Sequence, residues 1–380
     1  MMVAFGWSHV GTVLLHFQAM QTNNPQVDLR RCLHFIPLLL GVMGAGAWAQ
    51  DKGNAPALPE LKLSVAQSPA FPLGNAAARW AALINEHAAR AFEVKTYPGA
   101  TLAGRDPVRE FGALRDGPAD LAVGSALAWS AQFPAAGAYS LPWLAPEAPQ
   151  QEALVASRVV FDLVAARAVL ANVIVLAVAP AGDRVLTTAK NPVRTPAEAA
   201  GIRLRVTGVP LAIDTFAALS MQPRSLDFVA AQAAFGAGTL DGQDAMPSAL
   251  AAQRITATGQ RVITRWGALS DAMIFAVRKP VWDAWSDTQR VLVREAAVKA
   301  AREVIALTQE EAALVALVKQ GVTVVTLAPA QRAAFRAAVQ NVWTKWTPAI
   351  GPDLVAAAAA AVETSTGAPA LPVAAHKPAP

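Results

Sequence analysis

Ile202, Leu204 and Val206 alternate with Arg203 and Arg205, a period-2 pattern that predicts a half-buried strand. The two arginines then share the polar face, either as solvated charges or as an anion clamp, since a guanidinium matches a carboxylate bidentately. Upstream, apolar runs predict strands at 61–66, 92–97 and 119–123, with helices at 73–91 and about 107–115 between them. Ala77, Trp80, Ala81, Ile84 and Ala88 fall on one face of the first helix, and Asp116-Gly117 terminates the second. This β-α-β-α-β order is the grammar of a parallel sheet with helices on its faces. A second set follows the same grammar: strands at 173–178, 185–188, 203–206, 222–225 and 261–264, with helices at 211–219 and 228–237. The chain then predicts an apolar strand at 273–277, a long helical region over 286–320, a strand at 321–327 and a helix at 329–346. The expected fold class is α/β: two lobes joined by crossing connections, with a long helical region and a cleft between the lobes. The division expected is 60–182 plus 269–310 for the first lobe and 183–268 plus 311–365 for the second. In open α/β sheets ligands bind beyond the carboxyl ends of the strands.

The first 49 residues read differently. Arg30 and Arg31 form a basic region, Cys32–Met43 an apolar run and Ala47-Trp-Ala49 a cleavage site, the secretory signal pattern. The basic region begins late, so translation is expected to start near Val27. Residues 366–380 are Ala/Pro-rich without periodicity and are expected to be disordered.

Composition narrows the chemistry. The only cysteine, Cys32, lies in the leader, as do His9, His16 and His34; His87 and His376 remain. A zinc site, a Ser-His-Asp triad or thiol chemistry is therefore hard to build, and no metal, cofactor or catalytic residue is expected. The whole chain carries a net +5; without Asp28, Arg30 and Arg31 the remainder carries 5 − 2 + 1 = +4. The charge is spread along the chain, with no basic run to suggest nucleic acid. Arg105, Asp106, Arg109 and Glu110 cluster at a helix start and read as a solvated face. Trp129, Trp143 and Trp266 either wall a pocket or plug a core.

The order of motifs resembles the periplasmic substrate-binding subunit of tripartite ATP-independent periplasmic (TRAP) transporters. The residues that carry it are Tyr97-Pro-Gly-Ala-Thr-Leu102, Leu114-Arg-Asp-Gly-Pro-Ala-Asp120, Leu141-Pro-Trp143, the run Pro192 to Arg205, and Gly238-Thr-Leu-Asp-Gly-Gln243. The resemblance spans roughly 61–346. It implies a two-lobed periplasmic binding protein, a monomer that captures a small organic acid and delivers it to TRAP permease membrane subunits. It places the carboxylate-binding arginine at Arg205 and a second ligand arginine at Arg184. It further implies Phe228 as a ligand contact and Arg203 as a solvated neighbour. The residues themselves add Gln243, Ser68, Trp129 and Trp266 as candidate ligand contacts, and Asp120 and Asp241 as turn and cap residues.

The chain departs from the family pattern where an Asn is usual: Ala245 stands there, preceded by Ala230 and Gln232 in the helix before the motif. Gln243, Ser248 or water then compensates, or the ligand is not a common C4-dicarboxylate. Thinned polar groups favour a monocarboxylate with an apolar or weakly polar body, since an unpaired buried charge is costly. Two other classes stay open at this stage: a periplasmic enzyme acting on a carboxylate, and a receptor that presents its ligand to a sensor kinase.

Overall fold

The computed structural model describes residues 58–88, 91–304 and 306–363. The predicted leader and the tail 366–380 lie outside the described residues.

Two sheets organise the chain. The first has the order β2-β1-β3-β10-β4, built from β1 (Glu60–Val65), β2 (Glu93–Tyr97), β3 (Leu121–Ser125), β4 (Val173–Asp183) and β10 (Ser270–Arg278). Here β1 runs parallel to β2 and β3, while β10 is antiparallel to both its neighbours. The second has the order β11-β9-β5-β8-β6-β7, from β5 (Val185–Thr188), β6 (Arg203–Val206), β7 (Gln222–Ser225), β8 (Gly242–Ala245), β9 (Val262–Arg265) and β11 (Thr323–Thr326). Only Arg184 separates β4 in one sheet from β5 in the other, and residues 266–269 carry the chain back from β9 to β10. A third crossing leaves β10 and reaches β11 through helices. These are the crossing connections expected of the two-lobed α/β class.

The long helical region is broken into Asp287–Arg302 and Ala306–Lys319. Each piece has its own core to fill. Val293, Ala296, Ala297 and Ala300 pack with Trp80 and Phe275 beside the first sheet. Leu314 and Leu317 pack instead with Leu250, Ile255 and Ile263 of the second. One straight helix could not face both clusters. Ser286 starts the first piece with a capping box to Gln289.

Near the crossings, Phe216 stacks on Trp266 with centroids 5.6 Å apart, and Trp143 stacks on Phe335 at 5.3 Å. Trp143 also meets Trp266 edge-on at 5.6 Å and donates its indole N–H to the Trp266 carbonyl at 2.9 Å. Gly267 is required beside this cluster: its φ is +68°, and a Cβ there would lie 2.3 Å from Pro146 Cβ. The C-terminal helix Pro352–Glu363 packs against Ala148–Ala156 and Arg158–Leu170, helices that lie between strands of the first sheet.

Candidate functional site

A cavity of about 560 Å³ opens where strand ends of both sheets converge. From the first sheet come Ala66 and Gln67 after β1, Arg105 to Val108 in the loop after β2, and Ser125, Leu127 and Ala128 at the end of β3. From the second come Thr207 to Val209 after β6, Ser225 to Asp227 at the end of β7, and Met246 after β8. The crossing strands add Ala181, Arg184, Asp271 and Met273, and helix Ala306–Lys319 adds Glu310. The parallel strands β1, β2, β3, β6, β7 and β8 all end at the cavity, as the general rule for open α/β sheets requires.

The two arginines named from the sequence meet here but differ in state. Arg184 is 7% exposed and is already committed. Its Nε donates to Asp244 Oδ2 at 2.5 Å and its Nη2 to the Asp244 carbonyl at 2.9 Å. Arg205 is partly buried, and its Nε donates to the Leu226 carbonyl at 3.0 Å. Among the described residues its terminal nitrogens meet no carboxylate. Burial, and then the neighbouring charge of Arg184, pull the Arg205 guanidinium below its ordinary pKa. An anion would relieve that strain by supplying the missing counter-charge. Thr207, two residues along, has a buried hydroxyl with no hydrogen-bond partner.

Carboxylates line the same space. Asp271 and Glu310 are 6% and 4% exposed. Asp271 accepts from Ser125 Oγ at 2.5 Å and from the amides of Leu127 at 3.0 Å and Ala272 at 2.8 Å. Glu310 accepts from the amide and hydroxyl of Ser248 at 2.7 and 2.6 Å. Burial raises the pKa of both; their hydrogen bonds and Arg184 oppose the shift.

The other expected contacts lie elsewhere. Trp129 is fully buried, edge-on to Phe111 at 5.4 Å, and its indole approaches Glu110 Oε2 at 3.4 Å. It fills space that Gly124 leaves open, since a Cβ there would lie 1.9 Å from the indole. Trp266 is likewise fully buried, inside the aromatic cluster at the crossings. Neither wall of the cavity includes them: both plug the core. Gln243 is 1% exposed inside β8 and does not reach the cavity; its Nε2 has no partner. Ser68 is exposed and does not line the cavity; its carbonyl accepts from the Phe71 amide at 3.0 Å, while its neighbours Ala66 and Gln67 form the wall. Phe228 opens the helix Phe228–Gly236, and its side chain lies outside the described residues.

Two charge assignments are corrected. Arg203 is no freely solvated neighbour: its Nη2 donates to Asp241 Oδ1 at 2.6 Å and its Nε to Oδ2 at 2.9 Å. That pair sits in a separate hollow of about 770 Å³ at the start of β6, so its guanidinium is already occupied. Glu110 is no solvated helix-start charge. It is 1% exposed, accepts from Ser64 Oγ at 2.9 Å, and burial pushes its pKa up to about 7. Asp120 accepts from the Lys62 amide at 3.0 Å and pairs with Arg278, and so holds structure away from the cavity.

The model of the bacterial extracellular solute-binding protein family 7 matches residues 63–348. The chain belongs to this family. It is a family of substrate-binding receptors, and among the described residues no helix is long and apolar enough to cross a membrane. A similar solved structure is a TRAP periplasmic solute-binding protein from Ralstonia eutropha H16 with (S)-2-acetolactate bound. It is 37% identical, with a TM-score of 0.74, covering 80% of this chain and 98% of that one. Another, from Ochrobactrum anthropi, has its C-terminus bound in the ligand pocket; it is 25% identical, with a TM-score of 0.73, over 81% and 95% of the two chains. Among curated proteins, the uncharacterized protein y4mM of Sinorhizobium fredii is 30% identical over 224 residues. This chain covers 40% of the length of that relative.

Proposed function

We propose that the protein is a periplasmic receptor that binds a small organic acid in the 560 Å³ cavity and delivers it to a TRAP-type membrane permease. The observation that carries this reading is Arg205: a partly buried guanidinium at a strand end, with no carboxylate partner among the described residues. The similarity to the acetolactate-bound Ralstonia protein supports an organic acid as ligand. The two lobes are taken as 60–182 plus 269–310 and 183–268 plus 311–351, and the helix Pro352–Glu363, expected in the second, goes with the first because it packs on its helices. Arg205 and Thr207 come from the second, Gln67 and Ser125 from the first. A ligand touching both sets would stabilise the closed form by its differential affinity, which is hinge closure. The receptor acts as a monomer without enzymatic activity.

The ligand carries one carboxylate. Arg184 is engaged by Asp244, and Arg105, the remaining cation of the wall, is exposed to water. A second buried carboxylate would lack a partner and would face Asp271 and Glu310. A thermal-shift panel of organic acids tests this. Branched monocarboxylates are expected to raise the melting temperature most. Strong stabilisation by C4-dicarboxylates alone would refute the single-carboxylate reading, and no response to any acid would refute the receptor reading.

A further inference from the structure

Two deeply buried carboxylates, Asp271 and Glu310, border the cavity, and they differ in what holds them. Asp106 and Asp227 cap helix starts through the amides of Val108 and Ala230 at 3.0 and 2.8 Å. Each oxygen of Glu310 accepts one bond from Ser248, a residue that does not line the cavity. Asp271 differs between its two oxygens. Oδ1 accepts two backbone amides, those of Leu127 and Ala272, and is saturated. Oδ2 accepts only the Ser125 hydroxyl, and Ser125 itself lines the cavity. A buried carboxylate oxygen therefore keeps one acceptor position on the wall of a ligand cavity. Covering it with an apolar ligand body would remove water and give nothing back.

We propose that Asp271 is a specificity-determining residue: its Oδ2 accepts the O–H of a hydroxyl on the bound acid, so the cavity selects hydroxy acids over their deoxy and oxo counterparts. This rests on the cavity being the ligand site. A site built to hold a hydroxyl also rejects an analogue that lacks it more strongly than an apolar pocket does, because the buried acceptor is left bare.

Calorimetry with three acids of one shape tests the proposal: 2-hydroxy-3-methylbutanoate, 3-methylbutanoate and 3-methyl-2-oxobutanoate. Malate, succinate and oxaloacetate pose the same comparison if the ligand is a dicarboxylate. In the wild type the hydroxy acid is expected to bind at least about tenfold tighter than the other two, the worth of one hydrogen bond to a charged group. Asp271→Asn keeps the shape and can leave its amide oxygen under the Leu127 and Ala272 amides. Its amide nitrogen then replaces Oδ2, turning the free acceptor into a donor. The hydroxy preference should vanish or invert towards the oxo acid. Equal binding of hydroxy and deoxy acids by the wild type overturns the role of Asp271, even if the variant fails to fold. So does an unchanged ranking in Asp271→Asn. Failure of all six acids and of the wider panel overturns the ligand-site reading itself.

Discussion

Replacing Arg205 separates what the cavity needs for binding from what the fold needs for stability. In the ligand-free protein the side chain makes one hydrogen bond, Nε to the Leu226 carbonyl at 3.0 Å, and no ion pair among the described residues. Burial and then Arg184 disfavour its charge, with Asp244 and Asp227 opposing them in part. Arg205→Ala therefore removes a cation that makes no direct ion pair within the protein, and water can reach the half-buried Leu226 carbonyl that loses its donor. The melting temperature without ligand should stay within about 2 °C of wild type, since about 1 kcal/mol corresponds to about 2–4 °C in a chain of this size class. Binding should respond very differently. The ligand carboxylate would be left buried beside Asp271 and Glu310 with its counter-charge gone. Losing one partner of a buried pair costs about 3–5 kcal/mol, so affinity should fall at least about a hundredfold. Arg205→Lys keeps the charge but loses the planar fork, and should fall between the two. Calorimetry with the best acid of the panel, beside thermal melts of the free proteins, reads both effects. Binding by Arg205→Ala within threefold of wild type would refute the carboxylate assignment; a large drop in the ligand-free melting temperature would make Arg205 a structural residue.

Two further expectations concern the core. Trp266→Ala empties the middle of the aromatic cluster and should destabilise by about 3–5 kcal/mol in chemical denaturation, whereas a cavity-wall role would lower affinity with little loss of stability. Glu110 holds its proton up to about pH 7 in the folded chain, against an ordinary value of 4.5. Its contribution is thus fully present below about pH 4.5 and is lost as the pH rises towards 7, a change of up to about 3 kcal/mol. Glu110→Gln should remove that part of the slope and be the more stable protein at neutral pH; parallel stability-versus-pH curves for the two would contradict the assignment.

Much of the architecture was legible because it follows from periodicity. Leu204 and Val206 are fully buried and flank Arg205, as the alternation in the sequence requires. The break in the long helical region was not legible, because nothing local marks it: the apolar faces of 287–302 and 306–319 are aimed at different clusters. Trp129 and Trp266 show the limit for side chains. An aromatic after a strand end reads the same whether it walls a cavity or fills a core. What decides Trp129 is Gly124 and Phe111, which only the folded chain brings to it. Asp271, near the start of β10 and two residues before Met273, carries no pattern of its own that marks it as a cavity residue. Thr207 and Ser125 were passed over despite standing at strand ends, where the rule for open sheets directs attention.

The two arginines show how pairing, and not position, separates a binding residue from a supporting one. Arg184 and Arg205 both border the cavity. In β8 the motif Gly242-Gln-Asp-Ala245 pairs antiparallel with β5, Leu186 opposite Asp244 and Val185 opposite Ala245. That register brings the Asp244 carboxylate to Arg184, which immediately precedes β5, and the fully buried aspartate has no other charge partner at hydrogen-bond distance. Burial raises the Asp244 pKa and Arg184 opposes that rise, so each group makes the other tolerable inside the protein. Arg205 makes no direct ion pair among the described residues, although Asp244 and Asp227 lie near enough to favour its charge. Its strand neighbours at this register are Arg224 in β7 and Gln243 in β8, neither of them an anion. The same small sheet thus pairs one guanidinium directly and leaves the other without a bonded carboxylate. A bound acid would supply that bonded partner, which is the physical content of proposing this cavity as a receptor site.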